Sequence, residues 1–437
     1  MKEISFSYIK CGFSNGEILS AGKSLLTEIE RMNEVAKSGN YQDDISSINL
    51  PSGKGSIKRI TDLAKKFKGI DYIVVIGIGG SNLGTVAVFE AVKGKLHNQL
   101  PRMPKVLFAD TVDSDSISEI SELIKNSLSQ KKKILLNVVT KSGTTTETVV
   151  NFHILLDILK KYEKNYKNYV IATTDKGSNL YDAAVKEGFH ILEIPKKAGG
   201  RYSVFSAVGL FPLAALGINI DNLLRGALDM RAKCLNKDIM KNPAAISAAV
   251  LYLHYKNKIN INDNFFFAND MESVGKWYRQ LMGESIGKQH DKRGNLLNAG
   301  ITPTVSIGST DLHSMAQLYL GGPYDKYTTF ISITNPKNKI KIPKINELKD
   351  LAANIEGKSM HEIMEVILKG VQIAYKKGKR PFSEIVLPDK SEYSIGQLLQ
   401  LKMMEMMYLG CLLNVNPFDQ PNVEDYKKET KILLEKR

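Results

Sequence analysis

Short apolar runs alternate with amphipathic segments along most of the chain, beginning near residue 58. The runs 72–77 (YIVVIG), 105–109 (KVLFA), 133–139 (KILLNVV), 169–174 (YVIATT) and 190–194 (HILEI) read as strands. Between them, apolar positions recur at helical spacing near 82–94, 115–127, 145–162 and 178–187. Strands apolar at nearly every position, separated by helices, predict a parallel sheet covered on both faces. A second round follows, with helical patterns at 207–216, 222–234, 243–256 and 274–288. Its strands are 264–267, 303–307, 328–333 and 384–387, and a long helix is expected at about 392–413. The pattern predicts an α/β fold of two doubly wound parallel-sheet domains, three-layer α/β/α, with a C-terminal helical tail. The expected boundaries are 1–200 for an N-terminal extension and first domain, 201–415 for the second domain and 416–437 for the tail.

Composition narrows the class. Apolar content of 43% and charged content of 24% over 437 residues are ordinary for a globular chain with a sizeable core. The net charge of +14 raises the question of a nucleic-acid partner. Its lysines, however, lie in short scattered runs (131–133, 196–197, 376–379, 427–428) without interleaved aromatics. That describes a solvated surface, suited to attracting small anionic substrates, and no nucleic-acid partner is expected. The three cysteines, Cys11, Cys234 and Cys411, are far apart and odd in number, which fits a reducing compartment. The N-terminus lacks a continuous apolar stretch and no window reaches about 18 uncharged apolar residues. The expectation is a cytoplasmic protein with no membrane partner.

Six stretches carry candidate chemistry. Gly77-Ile78-Gly79-Gly80-Ser81 follows a strand and opens a helix, where anions bind. A dinucleotide fingerprint wants glycines at 77, 79 and 82, but 82 is Asn, although Asp110 ends the second strand where a ribose-binding acid would sit. The Gly-Lys-Ser/Thr of a P-loop is absent from this turn. A backbone nest with the Ser81 hydroxyl suits a small phosphate ester; the bland alternative is a tight turn without ligand. In 140–148, TKSGTTTET, Thr140, Ser142, Thr144, Thr145, Thr146 and Thr148 crowd a strand-to-helix turn. Hydroxyls and free N–H groups there solvate a phosphate dianion without burying a competing charge, and the alternative is a capping cluster. In an open α/β sheet both turns would face the crevice at the strands' carboxyl ends.

In 199–206, GGRYSVFS, two glycines permit close backbone approach and Arg201 follows at once. An arginine there can stabilise an oxyanion, or it is a surface loop residue. The segment 271–288, MESVGKWYRQLMGESIGK, holds two rival carboxylates, Glu272 and Glu284. Glu272, near a helix start, reads as a dipole or capping residue. Glu284, beyond an apolar run, reads as a general base. His313 in TDLHSMAQ is expected one turn into a helix capped by Thr310 or Asp311. No second His or Cys lies four residues on, so zinc is not expected. Finally, PFDQPNVEDYKK (417–428) leaves the long helix at a proline and carries Gln420 and Lys427.

Taken together, IGIGGSNLG, TKSGTTTET, GGRYSVFSAVGL and FDQPNVEDYK resemble the phosphoglucose isomerase family in its shorter bacterial form, over about residues 45–430. One departure is Asn422, where the family has Gly; a positive φ there would strain Asn. The resemblance implies two sugar-isomerase (SIS) domains. It also implies a glycolytic and gluconeogenic aldose–ketose isomerase that interconverts glucose 6-phosphate and fructose 6-phosphate without a cofactor or metal. It assigns the phosphate to Ser81, Ser142, Thr145 and the main chain of Lys141, with Gly80, Thr140 and Thr144 nearby. It assigns enediolate stabilisation to Arg201, the base to Glu284 through the pattern QLxxESxGK, ring opening to His313 with Lys427 near the ring oxygen, and a substrate contact to Gln420. The family's histidine comes from a neighbouring subunit, which implies a homodimer. Rival readings are a non-catalytic sugar-phosphate-binding module, a nicotinamide oxidoreductase and a dual phosphoglucose/phosphomannose isomerase.

Overall fold

The apolar runs form strands nearly where the pattern puts them. In chain order they are β1 (Ser5–Ser7), β2 (Tyr72–Ile76), β3 (Lys105–Ala109), β4 (Ile134–Val139), β5 (Val170–Thr174) and β6 (His190–Glu193). There follow β7 (Ile261–Phe266), β8 (Lys288–His290), β9 (Leu296–Ala299), β10 (Thr302–Ile307), β11 (Lys326–Ile333) and β12 (Phe382–Leu387). The computed structural model describes residues 3–436. The chain divides into two units: Ile29–Arg231, and the residues up to Glu28 together with those from Ala232 onward.

In the Ile29–Arg231 unit the sheet order is β3-β2-β4-β5-β6, with every pair parallel. Strands β2 and β4 are buried at every position, as a sheet covered on both faces requires. Side chains alternate across the pleat. Tyr72, Val74 and Ile76 enter one core with Leu136 and Val138 and with Ile117, Ile124, Phe152 and Leu155 of helices Ser114–Ser129 and Thr146–Tyr162. Helix Ala207–Ala215 packs on β2 and against helices Lys54–Lys66 and Leu83–Lys93. The helix starts follow capping chemistry: Asp113 accepts from the N–H of Ser116 and Ser178 from that of Tyr181.

In the other unit the order is β1-β12-β11-β7-β10. Four strands are parallel, and β1 runs antiparallel to β12. The N-terminal segment, grouped with the first domain by sequence, thus belongs to the second sheet. Its three-residue strand satisfies an edge that would otherwise present unpaired N–H and C=O groups. Likewise, the units meet at 231/232 rather than near 200, because helix Ala207–Ala215 packs on β2. Phe265, Phe267, Tyr319, Phe330, Tyr375 and Phe382 form an aromatic core on this second sheet.

Helix Glu392–Leu412 is buried along nearly its whole length, as a helix without a polar face must be. It is a core element, and the tail proper is helix Val423–Glu435. Its charged pair is buried too: the ammonium of Lys402 donates to both oxygens of Glu405, at 3.2 and 3.0 Å. The hydroxyls of Tyr278 and Ser247 also donate to the Glu405 carboxylate. A buried ion pair needs such extra donors to offset its desolvation. Short helices at Asn15–Lys23, Leu26–Ser38 and Lys54–Lys66, the longer Met360–Lys377 and the β8–β9 hairpin were absent from the sequence expectation.

Asp263 on β7 is a second buried charge. Its Oδ1 accepts from Thr304 Oγ1 (2.7 Å), Ser306 Oγ (2.9 Å) and Tyr319 OH (3.1 Å), while Oδ2 makes no hydrogen bond. Burial pushes its carboxyl up to about 6 against the pull of these donors, and Asp311 adds to the rise. A raised carboxyl binds a proton more readily in the folded state. Its contribution to stability is therefore full below the ordinary value of 3.8 and is lost as pH rises through about 6. Asp263→Asn removes this dependence while keeping an acceptor. Melting curves from about pH 4 to about pH 7 are expected to show the variant gaining on the wild type as pH rises; a constant difference contradicts the assignment.

Candidate active site

The turn after β2 begins beside the end of β4. The Cβ that residue 77 lacks would lie 2.8 Å from the carbonyl oxygen of Val139. Gly79 has φ +59°, which glycine adopts without strain. Gly80 faces Gly200: a Cβ on Gly80 would stand 2.2 Å from the carbonyl carbon of Gly200 and 2.6 Å from the nitrogen of Arg201. Two glycines let the backbone of the first turn meet the backbone of 199–203. Ser203 ties them further, its Oγ donating to the carbonyls of Gly200 (2.7 Å) and Gly80 (3.4 Å). Arg201 is thereby held beside the Gly80–Ser81 turn and is only 3% exposed, so it is no surface arginine. Its guanidinium lies over the Tyr202 ring, 5.5 Å from the centroid. Asp110, weighed above as a ribose ligand, instead accepts a hydrogen bond from Asn82 Nδ2 at 3.1 Å.

The turn after β4 holds a hydroxyl cluster. Thr140 and Thr145 are hydrogen-bonded through their Oγ1 atoms at 3.1 Å, and Ser142 Oγ lies 3.0 Å from Thr144 Oγ1. Thr145 stands at the N-cap of helix Thr146–Tyr162 without a side-chain capping bond. The side chain of Thr145 therefore does not cap the first-turn N–H groups of that helix. Sequence reasoning missed what props this turn. Thr174, at the end of β5, donates to the carbonyl of Thr140 at 2.6 Å and lies 2.7 Å from Ser178 Oγ. Gly143, at φ +72°, passes so close to the start of helix Asn179–Glu187 that a Cβ would sit 2.5 Å from the nitrogen of Leu180. Asp175, one residue after Thr174, has its carboxyl raised by burial, with Lys141 and Lys196 opposing. The polar ending of YVIATTDKGSN was the available signal.

The remaining candidates belong to the other unit. Glu272 opens helix Glu272–Ile286 and pairs with Lys276 Nζ at 2.8 Å, as expected of a dipole residue. Glu284 lies about three turns on, half-buried, and its Oε1 accepts from Gln280 Nε2 at 3.0 Å. Tyr278, on the same helix, anchors it to Glu405 at 2.6 Å. Gln420 follows Asp419, whose backbone carbonyl accepts from the buried ammonium of Lys288 at 2.6 Å. The same ammonium donates to the carbonyl of Glu284 at 2.6 Å. The turn bearing Glu284 and the segment bearing Gln420 are thus joined.

His313 departs from the expected setting. It closes a 3-10 turn, Thr310–Leu312, and the α-helix begins only at Ala316. Asp311 is the cause: its Oδ2 accepts from the N–H of Ile307 (2.7 Å) and its Oδ1 from Ser314 Oγ (2.8 Å), which tightens the chain before a helix can start. His313 is exposed. Lys427 lies on helix Val423–Glu435 and donates to Glu424 Oε1 at 2.8 Å. Asn422 has φ −69°, so the feared strain does not arise, and its Nδ2 donates to Gln289 Oε1 at 2.9 Å.

Comparison with known proteins follows this geometry. The family model described as phosphoglucose isomerase matches residues 22–436. The chain is 35% identical to the glucose-6-phosphate isomerase of Carboxydothermus hydrogenoformans over 387 residues, covering 86% of this chain and 81% of that protein. It is 33% identical to that of Shouchella clausii over 449 residues, covering 100% of this chain and 96% of the other. Among solved structures, a hypothetical protein of Thermus thermophilus superposes with TM-score 0.87 at 29% identity, covering 99% of both chains. A glucose-6-phosphate isomerase of Chlamydia trachomatis shares the fold, with TM-score 0.83 at 20% identity over 99% of this chain and 89% of that one.

The meeting of Gly80 and Gly200 yields a direct test. Gly80→Ala forces backbone apart and is expected to cost about 1–3 kcal/mol, read by urea denaturation. Gly55→Ala, where a Cβ meets nothing within 4 Å, serves as the control and is expected to leave stability equal or slightly raised. Equal stability of Gly80→Ala and wild type would contradict the close approach.

Proposed function

The chain belongs to the phosphoglucose isomerase family, and from that premise we propose how its residues interconvert glucose 6-phosphate and fructose 6-phosphate. The observation that carries the reading is the pair of anion-receiving turns at the ends of neighbouring parallel strands, with a buried arginine fixed against one of them. Ser81, Ser142, Thr144 and Thr145, the main chain of Lys141 and the start of helix Thr146–Tyr162 take the phosphate, with Gly80 and Thr140 shaping the turns. Holding the phosphate orients the reacting carbons for the base.

Chemistry begins with a closed ring. His313 and Lys427 move a proton from the anomeric hydroxyl to the ring oxygen, and the C1–O5 bond breaks to leave an aldehyde. The Glu284 carboxylate then takes the proton from C2. The electron pair forms a C1–C2 double bond, and negative charge gathers on the former carbonyl oxygen. Arg201 keeps its charge at any working pH and stabilises that cis-enediolate. A preorganised donor of this kind is worth about 3–4 kcal/mol. The C2 hydroxyl proton passes to the C1 oxygen, Glu284 returns its own proton to C1, the C2 oxygen becomes the ketone, and Gln420 orients the sugar. Arg201 supplies the charge that a metal ion would otherwise provide, so no cofactor is assigned.

The family resemblance gives His313 to a neighbouring copy of the chain, and its exposure supports a homodimer with shared active sites. Cytoplasmic placement is supported by three cysteines that form no disulfide. Among the described residues, no helix is long and apolar enough to cross a membrane.

A coupled assay for glucose 6-phosphate formed from fructose 6-phosphate, run with chelator present, tests the reading. Wild type is expected to turn over, Glu284→Gln to lose at least about 10²–10⁴-fold in kcat, and Glu272→Gln to stay within a few-fold of wild type. Inert wild type that still binds the sugar phosphate would leave a binding module instead. Mixing the inactive variants Glu284→Gln and His313→Ala under subunit exchange is expected to restore activity, because one mixed site then holds both native residues. No recovery would assign His313 to its own subunit's site.

A further inference from the structure

We propose that Lys288 is a positioning residue for the isomerisation, its buried ammonium fixing the turn that presents Glu284 and joining that turn to the Gln420 segment. The inference rests on the isomerase reading above and adds a residue that the reading itself does not use.

The argument starts at the end of a helix. The last four carbonyls of an α-helix have no partner within it. In helix Glu272–Ile286 the N–H of Gly287 still returns to the carbonyl of Gly283, at 3.0 Å. From Lys288 the chain leaves as β8, paired with Ala299. Lys288 Nζ reaches back to it at 2.6 Å. A lysine that did only this would be an ordinary C-terminal cap.

The same ammonium donates to the carbonyl of Asp419 at 2.6 Å and lies 3.3 Å from the Asp419 carboxylate. Three N–H donors thus face three oxygens on two segments separated by more than a hundred residues of chain. The Lys288 side chain is 4% exposed, so water is poorly placed to substitute for it. Neighbouring bonds repeat the joint: Gln289 accepts from Asn422 Nδ2 at 2.9 Å, and the N–H of Lys292 donates to the carbonyl of Asn414 at 2.9 Å. Glu284 and Gln420 therefore hang from opposite sides of one buried cation. Loss of the ammonium removes a donor from two part-buried carbonyls and lets the base drift. A misplacement of about 1 Å costs up to about 10²-fold in rate.

The test compares wild type, Lys288→Met and Asp419→Ala in the isomerase assay, with inorganic phosphate as a competitive inhibitor. Lys288→Met is expected to lower kcat by about 10–100-fold, with KM and the phosphate inhibition constant within about threefold of wild type. That split separates drift of the base from general loosening, which would move all three. Asp419→Ala removes only the exposed carboxylate and is expected to lower kcat by a few-fold with KM unchanged. A folded Lys288→Met with wild-type kcat overturns the proposal. So does an Asp419→Ala with wild-type kcat if Lys288→Met fails to fold, since Lys288 is then a structural cap alone. Inert wild type would sink the isomerase reading itself, whereas active wild type beside unaffected variants sinks only the role of Lys288.

Discussion

Every α-helix starts with N–H groups and ends with carbonyls that its own turns cannot satisfy, and the functional geometry of this protein is built on those loose ends. At helix Thr146–Tyr162 the side chain at the N-cap does not close off the first turn, because Thr145 pairs with Thr140 instead. Donors at a helix start that no side chain caps suit an anion. At the other extreme, the carbonyl of Glu284 near the end of helix Glu272–Ile286 accepts from the side chain of Lys288. The first is the turn proposed to receive the phosphate, and the second is the joint proposed to position Glu284.

The same constraint governs the buried charges. Glu405 tolerates burial because a cation and two hydroxyls converge on it, and one of those hydroxyls belongs to the helix that carries Glu284. Removing one member of such a set leaves an uncompensated charge, which is far more costly than replacing the whole set. Asp263 is less well served. Three donors share one of its oxygens and none reaches the other, and burial holds its carboxyl above the ordinary range despite them. Rigidity around the base thus comes from satisfied polar groups as much as from apolar packing.

Elements with a strong local signal were legible in the sequence. Strands β2 and β4 are apolar at nearly every position because both faces are covered, and the turns after them announced themselves through Gly80, Ser81 and the hydroxyls of 140–148. Long-range features were not. Nothing local shows that Gly80 and Gly200, so far apart in the chain, must touch, or that Lys288 joins Glu284 to Asp419. Lys402 and Glu405 are charged residues on a helix, yet they pair in the core. Strand β1 is too short to show a period and exists to cover an edge. His313 was set in a helix because the pull of Asp311 on Ile307 is invisible to helical spacing. The fold and the family were therefore readable, while the bonds that fix each candidate residue's direction were not.

The central claim is that a single carboxylate, Glu284, carries a proton between neighbouring carbons. The most direct measurement is isotope uptake: fructose 6-phosphate is converted in D₂O and the glucose 6-phosphate formed is examined by NMR for deuterium at C2. A carboxylate that holds the proton exchanges part of it with solvent, so the account predicts measurable deuterium at C2 with wild type, and loss of both exchange and turnover with Glu284→Gln. Turnover without any deuterium at C2 would mean direct hydride transfer, and exchange that survives Glu284→Gln would assign the base to another residue.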